Sequence, residues 1–352
     1  MSTSTKVVQK CKICGGDLVF NPSKNGLICQ RCGNFASVTG TISNEKSLQT
    51  LLNNAPLWKK DATVVCCEHC GAKTVVSKFD LVAKCEYCGA ANMVKTKETP
   101  GLRPDTVVLF GLNKDEAYKQ VSAWLSKRFF VPSDFKHQLK ERQINGIYYP
   151  VFTFDANVTG KYTGTLVQTN TTTVEVDGEQ KTQTQTTRRS ITDVISQTFD
   201  DIIISANEEI SPQTLQQIYG FDTNHGQTFQ ESFLTGFTIA QATLDPHTCW
   251  NEAKKIMENR IRSRIATRYG DANRVENLHL DLDFTNITYK YALLPIYVGH
   301  IEYKGIKYPL YMNGQTGKVS AKTPKSWRKI LLTLAGMGLV AFGVGIILAM
   351  FL

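Results

Sequence analysis

Eight cysteines carry the clearest chemistry in this chain of 352 residues. Cys11-Lys-Ile-Cys14-Gly is followed, after fourteen residues, by Cys29-Gln-Arg-Cys32-Gly. Cys67-Glu-His-Cys70-Gly, the same gap and Cys85-Glu-Tyr-Cys88-Gly repeat the frame. Two thiolates two residues apart on a tight turn converge on one cation, and a second pair closes a tetrahedron of sulfur about 2.3 Å from Zn²⁺. The glycine after each second cysteine (Gly15, Gly33, Gly71, Gly89) lets the backbone turn at positive φ and aim its amides at sulfur. Four sulfurs leave no open position for water or substrate, so two structural Zn²⁺ ions are expected, with no other cofactor. A disulfide framework is disfavoured because Met1 to Lys10 is polar and does not read as a secretory signal. Cys66 lies outside the frame, His69 reads as a solvated side chain within a knuckle, and Cys249 as a small buried residue.

The elements that must position these ligands are short strands. Asp17 to Phe20 and Leu27 to Ile28 flank a turn in the first copy; Thr74 to Val76 and Leu81 to Lys84 do so in the second. The expectation is two small β zinc ribbons, at residues 1–40 and 63–98, joined by a linker at 41–62 with a brief helix near Leu48, Leu51 and Leu52.

Beyond Pro100-Gly101 an α+β domain with an antiparallel sheet is expected over residues 105–320. Lys114 to Arg128 reads as an amphipathic helix capped by Asn113, and Trp250 to Tyr269 as a second with Ala253, Met257, Ile261 and Ile265 buried. Arg260, Arg264 and Arg268 form a stripe on the latter, read as a solvated face rather than a phosphate-binding row. Strands are expected at Ile147 to Phe154 and Val158 to Val167, then a polar hairpin turning at Asp177-Gly178. A meander of strands follows: Leu278 to Phe284, Tyr289 to Tyr303 and Lys307 to Met312.

The net charge of +9 divides unevenly: +6 over residues 1–100, −2 over 101–317 and +5 over 318–352. Ile330 to Leu352 holds no charge and only Thr333 as a polar side chain, long enough to span a bilayer. With Trp327 at its entrance and Lys318, Lys322, Lys325, Arg328 and Lys329 before it, residues 328–352 read as a C-terminal transmembrane helix contacting lipid. The expected location is the cell membrane, single-pass, with the bulk of the chain cytoplasmic. Gly338, Ala341, Gly345 and Ala349 would offer a small-residue face for helix–helix association.

No catalytic set emerges. Asn313-Gly314-Gln315-Thr316-Gly317-Lys318 lacks the first glycine and the final Ser/Thr of a phosphate loop, since Met312 and Val319 stand there. The paired CxxCG frames, Gly146-Ile147-Tyr148-Tyr149-Pro150-Val151, Leu293-Leu294-Pro295-Ile296 and Tyr303-Lys304-Gly305 through Lys318 resemble membrane-anchored, TFIIB-type zinc-ribbon proteins of Gram-positive bacteria, some labelled primosomal helicase relatives. The resemblance implies neighbours of the phage-shock type, membrane proteins and scaffolds of the envelope-stress response. The expected function is therefore a non-enzymatic adaptor binding membrane or scaffold proteins. A second expectation is nucleic-acid binding by the basic ribbon half, with Arg31, Lys73 and Tyr87 near the knuckles and Phe20, Phe35, Trp58 and Phe79 as aromatics. A third is a hydrolase, or a lipid sensor working through the juxtamembrane lysines.

Overall fold

The structure, a computed structural model, describes residues 9–54, 57, 62–77, 84–96, 101–176, 179–270 and 273–350. Its organising strand is β-rich in sequence and buried on both faces. Ile144 to Phe154 alternates Ile, Tyr, Val and Phe with no Lys, Arg, Asp or Glu, which suits a central strand.

The first cysteine module is a sheet of four strands, β1 (Gln9–Lys10), β2 (Asp17–Asn21), β3 (Gly26–Cys29) and β4 (Phe35–Ser37). Next come β5 (Lys46–Ser47) and helix α1 (Leu48–Asn54). The second module contributes β6 (Ala62–Cys67), β7 (Lys73–Ser77) and β8 (Met93–Lys95), and β9 (Thr106–Val107) follows. The body begins with α2 (Lys114–Ser126), where Asn113 and Glu116 form a reciprocal capping box, and α3 (Ser133–Lys136). Strand β10 (Ile144–Val176) and β11 (Glu179–Ser205) form an antiparallel pair along nearly their whole length. After α4 (Pro212–Gln217), β12 (Gln227–Thr228) and β13 (Thr238–Ala240), helix α5 (Pro246–Arg268) starts at an Asp245 cap. Finally β14 (Asn273–Tyr303), β15 (Ile306–Asn313), β16 (Val319–Ala321) and α6 (Trp327–Met350) complete the chain.

Strands β5 to β16 belong to one sheet of twelve, with β10 flanked by β14 on one side and by β13 and then β11 on the other. Pro150, which has no N–H, sits where the second neighbour changes: β13 pairs Ile147 and Tyr148, and β11 begins at Val151. Helix α5 covers one face, burying Ala253, Met257, Ile261 and Ile265 against Phe152, Phe154, Val158 and Tyr162. Phe110 stacks on Phe237 at 4.1 Å between ring centres and meets Tyr148 and Tyr297 edge-on, at the centre of the core beneath α2. The Tyr149 hydroxyl donates to the Asn207 carbonyl (2.7 Å) and accepts from the Ile210 N–H (3.2 Å), so the chain leaving β11 is held to β10.

The expected architecture needs correction. The fold is largely sheet with six α-helices among the described residues, and β6, β7 and β8 of the second cysteine module continue the sheet of the body. The physical reason is an open edge: β7 presents unpaired backbone groups that β13 takes up, Ile239 against Val75 and Ala240 against Thr74. The sheet is also mixed, since β10–β13 and β14–β9 are parallel.

The transmembrane expectation, and with it the single-pass membrane and cytoplasmic location, is overturned: among the described residues no helix is long and apolar enough to cross a membrane. In α6 the described side chains run from Trp327 to Gly338 and include Arg328 and Lys329. The side chains of Ala341, Gly345 and Ala349 lie outside the described residues, as does the turn Asp177-Gly178.

Candidate metal centres

Each of the four Cys-x-x-Cys-Gly turns folds the same way. The first cysteine's carbonyl accepts the glycine N–H in all four: Gly15 to Cys11 (2.9 Å), Gly33 to Cys29 (3.0 Å), Gly71 to Cys67 (2.8 Å) and Gly89 to Cys85 (2.8 Å). The first cysteine's N–H returns to the residue just beyond, Gly16, Asn34, Ala72 or Ala90. These glycines have φ of 68°, 73°, 78° and 72°, the left-handed region in which a side chain would be strained. The turn therefore places its two sulfurs on one side without spending a bulky residue.

The sulfurs then converge in two groups, Cys11, Cys14, Cys29 and Cys32, and Cys67, Cys70, Cys85 and Cys88, that could each hold a metal ion. Cys11 and Cys32 Sγ are 3.7 Å apart, Cys14 and Cys29 3.5 Å, Cys67 and Cys88 3.7 Å, and Cys70 and Cys85 3.6 Å. A tetrahedron with metal–sulfur bonds of about 2.3 Å has edges of about 3.8 Å, so the spacing suits one ion per group. All eight cysteines are free. Thiols in both groups are held below the ordinary value: the Cys14 amide lowers Cys11, the Cys32 amide, with that of Arg31, holds Cys29 down to about 6, and the Cys85 thiol holds Cys70 down to about 5. The Ile13 N–H also donates to Cys11 Sγ at 3.4 Å, the kind of amide–sulfur contact that steadies a bound thiolate.

Both modules are docked on the body. In the first, Phe20 is 2% exposed and meets Phe233 edge-on at 6.0 Å, and its N–H donates to the Thr235 carbonyl at 2.9 Å. In the second, Lys307 Nζ donates to the Cys88 carbonyl (2.8 Å), Asn145 Nδ2 to the Glu86 carbonyl (3.5 Å), and the Lys73 N–H to Glu209 Oε1 (2.6 Å). Tyr87 is inserted into the body, and burial together with the Glu209 carboxylate raises its hydroxyl well above the ordinary value. An ion in either site would therefore stabilise a contact with the body as well as its own turns.

The chain is similar to the uncharacterized protein YdjG of Bacillus subtilis (strain 168). They are 24% identical over 329 residues, 93% of each chain. No protein-family model matches the chain, and no solved structure matches it.

The other expected residues scatter. Cys66 points its thiol at the Gly71 carbonyl (3.6 Å) outside the sulfur group, His69 is exposed, and Cys249 is buried with its thiol toward the Ser205 carbonyl (3.6 Å). Arg260, Arg264 and Arg268 line an exposed face of α5, where Arg268 pairs with Asp193 at 2.8 Å. The segment Asn313 to Lys318 is a turn organised by buried Asn313, whose side-chain oxygen accepts the Gln315 and Thr316 amides. Trp58 and Phe79 lie outside the described residues.

One group escaped sequence reasoning because its members come from distant segments of the chain. Glu45, Asp155 and Asp200 bring carboxylate oxygens within 4.8 Å of one another. Beside them Lys290, only 3% exposed, pairs with Glu45 at 3.2 Å, and Asp155 accepts from Thr288 (2.8 Å) and from the Asp201 N–H (2.6 Å). Burial, and the Glu45 carboxylate next to it, push Asp155 up to about 7. The cluster joins the linker before β5 to β10 and β14. Its only sequence signal was Lys290 within an otherwise apolar run.

Proposed function

We propose that the protein is a non-enzymatic adaptor whose two four-cysteine groups hold structural Zn²⁺ and whose cysteine modules bind other proteins. The observation that carries the reading is the closed, all-sulfur donor set repeated twice at tetrahedral spacing. Thiolates favour zinc over harder cations, and four of them leave no position at which a substrate is activated. The first module also keeps apolar surface uncovered after docking, with Ile13 73% and Phe35 45% exposed, and a partner protein is the natural cover.

Nucleic-acid binding ranks second. The basic balance of residues 1–100 favours it, but stacking needs accessible rings, and of Phe20, Phe35 and Tyr87 only Phe35 is exposed.

The test has two arms. Metal analysis of the purified chain should give about two zinc ions per molecule, falling to about one in Cys14→Ser and in Cys70→Ser. Crosslinking in living cells, followed by identification of what is attached, should return the same proteins from nuclease-treated and untreated samples, with less capture by Ile13→Asp. Zinc-free protein from both cysteine groups would end the metal reading. Recovery of nuclease-sensitive DNA or RNA would replace the adaptor by the second reading.

A further inference from the structure

Strand β11 has one neighbour among the described residues, β10. In an antiparallel pair alternate residues turn their N–H and C=O away from the partner strand. Val194 is one of these: its N–H donates to the Asp193 carboxylate at 2.8 Å instead of joining the β10 ladder. Residues 188 to 198 of even number share that outward orientation, because the register with β10 runs without a shift from Arg188 to Phe199, and Asp200 follows at the bulge opposite Asp155. Their side chains stand on the face away from α5, and every one is exposed, Val194 by 63%.

A bare edge of this length is a template for another strand, and natural proteins usually blunt it. What singles this one out is its own sequence. Turned about a two-fold axis at Val194 and laid beside a second copy, it is complementary to itself. Val194 meets Val194, Thr192 meets Ser196, Ser190 meets Thr198 and Arg188 meets Asp200. The directly opposed residues are a β-branched pair, hydroxyl pairs and opposite charges, the combinations that stabilise an antiparallel ladder. On the α5 side the same register opposes Asp193 to Ile195 and Ile191 to Gln197, so no like charges face each other. A slip of two residues either way leaves Arg188 opposite Thr198 or Ile202 and loses both charge pairs. Within one chain these charges are poorly met: Arg188 reaches Glu276 only at 3.8 Å, and Asp200 lies among the carboxylates of Glu45 and Asp155.

We propose that the outer edge of β11 is the interface for a second copy of this chain, pairing antiparallel about Val194 and extending the sheet across a two-fold axis. Such an interface is isologous, the same patch on both protomers, as closed dimers require.

The experiment uses the full chain with its metal. Sedimentation over a concentration series should show a monomer–dimer equilibrium. Arg188→Asp creates two like-charge pairs and should raise the dissociation constant about tenfold, as should Asp200→Arg, while the double swap should return it to within about threefold of the parent. Val194→Pro removes an outward N–H that the β10 ladder does not use and should abolish the dimer with β10–β11 intact. Independently of folding changes at the charged positions, Val194→Cys should form a disulfide-linked dimer under mild oxidation, since a hydrogen-bonded pair holds Cα atoms about 5.5 Å apart. Thr192→Cys, about 13 Å from its own copy in this register, should not. A chain that stays monomeric, a dimer indifferent to Val194→Pro and to the charge swap, or equal crosslinking of the two cysteine variants would each overturn the proposal.

Discussion

Glu209 ties the second cysteine module to the body, and two substitutions there separate its hydrogen bond from its charge. Its Oε1 accepts the Lys73 N–H at 2.6 Å, and its own N–H donates to Asn207 Oδ1 at 2.7 Å, so the side chain sits on a fixed backbone. Burial raises its pKa above the ordinary carboxylate value. Glu209→Ala leaves the Lys73 amide without its acceptor, a loss of about 2 kcal/mol, or a factor of about thirty in the folding equilibrium. Glu209→Gln keeps an acceptor oxygen of the same reach and removes the ionisable group. For a carboxyl raised on folding, the folded chain binds the proton more readily. Its contribution is complete below the unfolded value near 4 and is lost as pH rises through the folded value. Glutamine does not lose it, so Glu209→Gln should match the parent at pH 4 and equal or exceed it at pH 8. Urea unfolding of the zinc-loaded chain at the two pH values reads both effects, and competition with a chromogenic chelator reads whether the second site loosens with them. A glutamine variant as unstable as the alanine variant at pH 8 would refute the reasoning.

The acidic cluster makes a prediction of the same sign. Because Asp155 is raised to about 7, the parent should lose about 1–2 kcal/mol between pH 4 and pH 7, discounted for a half-exposed group, and Asp155→Asn should flatten that part of the stability–pH curve; parallel curves would count against it. Along β10, Gly160→Ala would place its Cβ 2.0 Å from the Asp281 carbonyl oxygen and should cost about 2–3 kcal/mol in thermal unfolding. Gly164→Ala meets nothing nearer than the Val275 side chain at 3.3 Å, with the Glu276 carbonyl oxygen at 3.4 Å, and should cost under about 1 kcal/mol.

The cysteine turns were legible because their chemistry is local: ligand spacing, the following glycine and the flanking strands all fall within a few residues. Helices α2 and α5 were legible for the same reason, through the Asn113 cap and the stripe Ala253, Met257, Ile261 and Ile265. The sheet was less so. Ile147 to Phe154, Val158 to Val167 and the polar arm beyond read as separate strands, yet β10 runs unbroken over 33 residues. Nothing in the alternating pattern says that the polar arm is the same strand, because that follows from β11 and β14 lying beside it. The apolar run after Trp327 shows the converse failure: composition alone suggested a span that the described helix does not provide. The docking of the second module and the Glu45–Asp155–Asp200–Lys290 group rest on contacts between distant segments, where periodicity carries no signal.

The pairing of β7 with β13 sets an order of events during synthesis. Ser77 and Thr238 are separated by about 160 residues, and a ribosome adding about 5–20 residues each second needs roughly 10–30 s to cover that distance. For most of that interval all four cysteine turns have been synthesised, while the strand that will cover β7 does not yet exist. The nascent module must hold its shape on its own thiolates and whatever ion they capture. The β7 edge is open on every growing chain, and a module without an ion would present it with its cysteine turns unfixed, so metal supply would bear on how many copies survive to be completed, before it bore on anything the finished protein does.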